Sequence, residues 1–152
     1  MPGGLLTRVP IVVGATPRPV AAAALVDDLA WPTLVLAARR VGPPALAGHW
    51  ELPGGKVEPA ETWEQGLRRE LGEELGIEVT VGEQVRGPAP DGLWPLPRRR
   101  VMAVWWAQAS VGEPVLGPGH DRLRWLSSAT VGDVRWLPAD WPIVAELRRA
   151  LR

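Results

Sequence analysis

Apolar positions recur along this chain with two periods. Trp63, Leu67, Leu71 and Leu75 return every fourth residue, the stripe that one face of an α-helix turns toward a core. Pro59 precedes this run and Gly76 follows its last turn, where a glycine commonly ends a helix, so a helix is predicted from Glu61 to Leu75. Elsewhere the apolar residues are continuous and often β-branched, the pattern of strands. Val9–Ala15, Val20–Val26, Thr33–Ala38, Ile77–Val85, Arg99–Ala109 and Leu123–Leu126 read this way, with a short extended piece at Glu51–Leu52. The turn-like "DDLAWP" between the second and third suggests a hairpin. "VGPPALAGHW" and "GPAPDGLWPLP" read as loops, and Trp141–Leu151 as an amphipathic terminal helix. Strands flanking two helices make a mixed α/β fold, and no repeat or long linker divides it, so residues 1–152 are expected to form a single domain.

Composition narrows the class. A chain of 152 residues can bury a core unaided, and with no cysteine it has neither disulfides nor thiolate metal sites, as expected of a cytoplasmic protein. Its net charge of zero provides no field for nucleic acid or an acidic membrane. No apolar run nears the ~20 residues of a membrane span, and Met1–Arg8 lacks the apolar core of a signal peptide. The expected partner is a small molecule, and the expected assembly a monomer or homodimer. Arg98–Arg100 resembles a basic patch, but three consecutive residues on a strand would point alternately.

Charge is crowded into one segment, "GGKVEPAETWEQGLRRELGEELGIE" (54–78). On its helix Glu70, Glu73 and Glu74 stand at i, i+3 and i+4, converging on one face a turn before the C-terminus. Like charges there oppose the helix, and the helix dipole disfavours them further. A solvated face is the bland reading. A hard divalent cation explains the convergence better, because it turns repulsion into binding and accepts carboxylate oxygens.

The spacing Gly55-x5-Glu61-x7-Arg69-Glu70-Leu71-x-Glu73-Glu74-x-Gly76-Ile77 resembles the Nudix box at every defined position, and "HWELPGGKVE" is similar to its MutT-like branch. The resemblance implies an α/β/α sandwich on a mixed sheet and hydrolysis of a (deoxy)nucleoside triphosphate to the monophosphate and pyrophosphate. It implies Glu70, Glu73, Glu74 and the carbonyl of Gly54 as ligands of Mg²⁺, with Mn²⁺ as the alternative ion. Arg69 and Glu61 become the pair that orients those ligands, and Gly55 and Lys56 meet the phosphates. MutT-like relatives carry a further glutamate six residues before a late-strand tryptophan. Here that place is Gly119, so a box glutamate, Glu73 or Glu74, is the expected base and adjacent Asp121 the alternative.

The resemblance also places an arginine at Arg40, with Arg39 beside it, on the nucleotide, and a base-reading loop at "WLPADWP" (136–142). Asp140 there offers an acceptor to an amine such as cytosine N4. It could equally cap the terminal helix, or, protonated, donate to an oxidised guanine. Cytidine-type substrates (CTP, dCTP, 5-methyl-dCTP) are expected, with 8-oxo-dGTP as alternative. Trp50, Trp94 and Trp105 are candidates for stacking, although a strand tryptophan belongs more often to the core. ADP-ribose, another Nudix substrate, or a non-catalytic nucleotide-binding module are the remaining rivals.

Overall fold

The computed structural model describes residues 19–152. The strand expected at Val9–Ala15 lies outside them. The chain runs β1 (Val20–Val26), β2 (Val35–Arg40), β3 (Trp50–Glu51), β4 (Gly54–Lys56), α1 (Trp63–Leu75), β5 (Glu78–Val85), β6 (Trp94–Pro95), β7 (Val101–Val111), β8 (His120–Leu126) and α2 (Trp141–Ala150).

β1 is central. It pairs in parallel with β7 from Val20↔Met102 to Val26↔Gln108, and β7 pairs antiparallel with β5. Both faces of β1 are covered, so its residues sort by parity: Ala21, Ala23 and Leu25 pack under α1, and Ala22, Ala24 and Val26 under α2. Two apolar clusters on opposite faces of one mixed sheet make the expected α/β/α sandwich. Trp63, Leu67, Leu71 and Leu75 are all buried in the first cluster, and Ile143, Val144 and Leu147 in the second.

The hairpin between β1 and β2 forms only at its closed end, where Val26 faces Val35. Beyond that point the strands part. β4 takes the edge of β1 at Val20–Ala22, while β2 continues between β3 and β8. The wedge that separates them is the segment 50–56, so the glycine pair sits inside the sheet rather than at its rim. The strand expected at Thr33 begins two residues later, because Asp27 holds the turn by accepting the N–H groups of Thr33 and Leu34 and the Thr33 hydroxyl.

α1 begins at Trp63 rather than Glu61. Thr62 is the N-cap: its hydroxyl accepts from the Gln65 N–H while the Gln65 side chain accepts from the Thr62 N–H, a reciprocal capping box. That releases Glu61 for another role. Thr62→Ala is expected to cost about 1 kcal/mol of stability, read as a lower midpoint in urea with an unchanged slope. Arg98–Arg100 corrects the expectation of a strand there. Arg98 and Arg99 have φ of 61° and 59° in a tight turn, and β7 starts only at Val101. The loop before it also contributes β6, paired to β7 at Trp94↔Met102.

Candidate active site

The site is built on two pieces of backbone: the C-terminal half of α1 and the segment 51–56, which passes from β3 through a bend at Pro53 into β4. Arg69 joins them. Its guanidinium donates to both carboxylate oxygens of Glu61 (2.8 and 2.9 Å), to Glu70 (3.0 Å), to Glu73 (3.3 Å) and to the Lys56 carbonyl (2.9 Å). The hydrogen bonds from Arg69 hold the Glu61 carboxyl below its usual range, and Glu61 in turn raises Arg69. Glu61 also accepts the Glu58 N–H at 2.9 Å, which fixes the turn entering the helix. Arg68, by contrast, faces away, bound to Glu64 and to the Val79 carbonyl.

The glycine pair fits between β1 and this helix face with no room to spare. A Cβ on Gly54 would lie 2.2 Å from the Ala21 carbonyl oxygen, and one on Gly55 would lie 2.3 Å from Cδ of Glu70. The Gly54 N–H donates to Glu74 Oε2 at 3.2 Å. Burial pushes the Glu74 carboxyl up to about 7, with the charges of Glu51 and Glu70 adding and His120 opposing. Glu73 is the outermost of the three, with its side chain 61% exposed.

Among the described residues no three acidic or histidine side chains converge as a ready cation cage. Each box glutamate is held by a protein donor instead: Glu70 and Glu73 share Arg69, and Glu74 has Gly54. The donor set nonetheless fits a hard divalent ion. It consists of carboxylate oxygens beside a glycine backbone, and the buried Glu74 is a carboxyl whose ionised form a nearby positive charge would favour.

A second cluster lies on the neighbouring strands. Arg40 donates from Nη1 to both oxygens of Glu51 at 3.0 Å and from Nε to the Gly42 carbonyl. His120 Nε2 meets Glu51 Oε2 at 2.8 Å, while its Nδ1 is buried without a partner among the described residues. Burial alone would lower the His120 pKa, but the hydrogen bond and charge of Glu51 outweigh it and the net shift is upward. Neither Glu51 nor His120 was among the residues expected from the sequence. Asp121 points the other way and pairs with Arg39 at 2.7 Å, which removes it as a stand-in for the glutamate missing at Gly119. Arg39 is thus the outward member of the arginine pair and Arg40 the inward one.

Asp140 does not cap α2; no hydrogen bond from its side chain reaches that helix. The carboxylate turns inward, and Oδ2 accepts the Leu52 N–H at 2.9 Å. Burial raises its pKa to about 7. Trp50, Trp94 and Trp105 are all buried: Trp94 donates to the Val85 carbonyl, Trp105 packs edge-on to Trp63, and the Arg39 guanidinium lies 5.9 Å from the Trp50 ring. None is placed as an open stacking platform. The Lys56 side chain is exposed at the end of β4.

The described residues thus form a mixed-sheet α/β/α sandwich in which one arginine closes a carboxylate-bearing helix on a glycine strand. The chain belongs to the Nudix family: the NUDIX domain model matches residues 17–149. It is 46% identical over 121 residues to "Putative 8-oxo-dGTP diphosphatase 2" of Mycobacterium tuberculosis, covering 77% of this chain and 81% of that one. It is 37% identical over 118 residues to the CTP pyrophosphohydrolase of Escherichia coli, covering 78% and 84%. The fold superposes on a solved MutT of Aliivibrio salmonicida or Vibrio cholerae with a TM-score of 0.67 at 25% identity, over 87% of this chain and 96% of that one. The protein is a MutT-like Nudix hydrolase acting on nucleoside triphosphates. Members of the family generally need a divalent ion, typically Mg²⁺. No helix among the described residues is long and apolar enough to cross a membrane.

Proposed function

We propose that the chain hydrolyses cytidine-type triphosphates (CTP, dCTP, 5-methyl-dCTP) to the monophosphate and pyrophosphate, in the cytoplasm, as a monomer or homodimer. Glu70, Glu73, Glu74 and the Gly54 carbonyl would hold Mg²⁺ or Mn²⁺, which when bound neutralises phosphate charge and lowers the pKa of water. Glu61 and Arg69 orient those ligands through the pairing described above. The backbone at Gly55 and the Lys56 ammonium would meet the phosphates. Of the two candidate proton acceptors, Glu74 is the more buried and is held by the Gly54 N–H, whereas Glu73 is exposed. Arg40, bound to Glu51, orients the nucleotide indirectly.

The observation that carries the choice of base is Asp140. Its carboxylate is anchored through one oxygen to the Leu52 N–H, so the other is presented in a fixed direction. Ionised, it accepts from the exocyclic amine of cytosine. The same residue supports the second reading, 8-oxo-dGTP, because a carboxyl with a pKa of about 7 is partly protonated at neutral pH and can donate to an oxidised purine. The names of the two relatives divide the same way.

The two readings titrate with opposite sign. Raising the pH through the Asp140 pKa fills the accepting form and empties the donating one. The ratio of kcat/KM for dCTP over 8-oxo-dGTP is therefore expected to rise about tenfold or more between about pH 6 and pH 8. Effects on the metal or the base cancel in that ratio. Asp140→Asn is expected to flatten it. The measurement is a panel of CTP, dCTP, 5-methyl-dCTP, dGTP, 8-oxo-dGTP and ADP-ribose with products identified chromatographically. A preference for 8-oxo-dGTP at every pH would defeat the cytidine reading, and turnover of ADP-ribose alone would defeat both.

A further inference from the structure

We propose that Trp141 stacks on the nucleobase, its exposed indole forming one wall of the base site beside Asp140. The inference rests on the nucleotide reading above. It adds a contact that does not depend on which base is bound, since every base has a π-face. With no phenylalanine or tyrosine in the chain, a large aromatic face can come only from one of its nine tryptophans. Trp50, Trp63, Trp94, Trp105 and Trp136 are buried, and Trp106 packs against the core. That leaves Trp31, Trp125 and Trp141 with open surface.

Position separates these three. Trp31 lies in the turn beyond the Val26↔Val35 pair, with the Arg152 guanidinium 4.7 Å from its ring. Trp125 stands opposite Leu36, about 13 Å along β2 from Arg40, and lines a separate cleft with Asp27 and Glu113. Trp141 adjoins the site. It follows Asp140, whose carboxylate is anchored to the Leu52 N–H, one residue from the Glu51 that binds Arg40. α2 turns Ile143, Val144 and Leu147 to the core, and Asp140 is buried with them. One residue advances about 100° around a helix, so Trp141 stands on the flank at the edge of that face. It is 45% exposed and has no ring or cation partner among the described residues. Pro142 narrows the backbone freedom of the residue before it. An indole has only two side-chain torsions, so little entropy is lost when a base lies on it.

Steady-state kinetics on dCTP and 8-oxo-dGTP test this in wild type, Trp141→Ala and Trp141→Phe, with ribose 5-triphosphate, which has no base, as a competing ligand. The base is remote from the phosphorus that reacts, so stacking strengthens the ground and transition states alike. Its loss therefore raises KM and spares kcat. Trp141→Ala is expected to raise KM about 5- to 100-fold for whichever nucleotides wild type turns over, with kcat within about twofold. The inhibition constant of ribose 5-triphosphate should stay at its wild-type value, and Trp141→Phe should keep most of the wild-type KM. Because the ring lies outside the core, both variants should melt close to wild type. A Trp141→Ala enzyme with wild-type KM overturns the proposal. So does an equal weakening of the ligand without a base, which would mean a general disturbance of the site. If wild type turns over neither nucleotide, the nucleotide reading falls and this one with it.

Discussion

Glu74→Gln is expected to lower kcat by about 10²- to 10⁴-fold, the range for loss of a positioned acid–base group, while leaving the protein as stable or more so. The two effects have one cause. Burial raises the Glu74 pKa to about 7, which means the folded state resists ionising this carboxyl. For a carboxyl raised in this way, the sign is that its contribution to stability is complete below the unfolded carboxylate range and is lost as the pH rises through about 7. Above that value the ionised group is a burden on the fold. Glutamine carries no charge, and its side-chain oxygen can still accept the Gly54 N–H. A thermal melt at about pH 8 should therefore show Glu74→Gln at or above wild type, and the difference should shrink toward about pH 5. Loss of activity with a lowered melting temperature would mean that Glu74 is structural. Activity within a few-fold of wild type would shift the proton acceptor to Glu73.

How much of this could be read beforehand depended on whether the signal was local. The face of α1 was legible because helical spacing alone brings Glu70, Glu73 and Glu74 together and buries Trp63, Leu67, Leu71 and Leu75. The Glu61–Arg69 pair followed from the box. The central strand was equally legible, since β1 is apolar throughout. What sequence spacing could not reach were contacts between strands far apart in the chain. Glu51 and His120 are joined only because β2 carries β3 on one edge and β8 on the other, with Arg40 opposite His120. The alternation of buried Trp50 with Glu51 was the available signal for the first, and parity along β8 for the second: His120 is turned in, so its neighbour Asp121 must be turned out. Asp140 departs from its local rule for a related reason. An aspartate before an apolar run is a cap by local rules, but a buried N–H at Leu52, from another part of the chain, competes for it and wins. The Thr33 boundary failed because one side chain, Asp27, held two strand amides in a turn.

The two adjacent glycines of the site are expected to fail in opposite ways when given a methyl group. At Gly54 the new Cβ would stand 2.2 Å from the Ala21 carbonyl oxygen and 2.6 Å from the Ala22 Cα. Both atoms belong to the backbone of β1, which is paired on its other edge along its whole length with β7 and covered on both faces. Neither can retreat, so Gly54→Ala should cost about 3–5 kcal/mol, or roughly 10 °C of melting temperature for a domain of this size. At Gly55 the Cβ would instead meet the carboxyl of Glu70, at 2.3 Å from Cδ and 2.5 and 2.7 Å from its oxygens. That is the end of a flexible side chain, which can swing away at small cost in stability, under about 1 kcal/mol. The cost appears in function. Glu70 would leave the position in which Arg69 holds it at 3.0 Å, and a displacement of about 1 Å in a positioned group can cost about 10²-fold in rate. Gly55→Ala should thus melt near wild type with kcat reduced about a hundredfold, and Gly54→Ala should melt far below it. Measuring kcat and melting temperature together for the pair is the check. Should Gly55→Ala keep its rate, the Glu70 carboxylate has no required position, and the assignment of the α1 face as the ion-binding surface would lose one of its members.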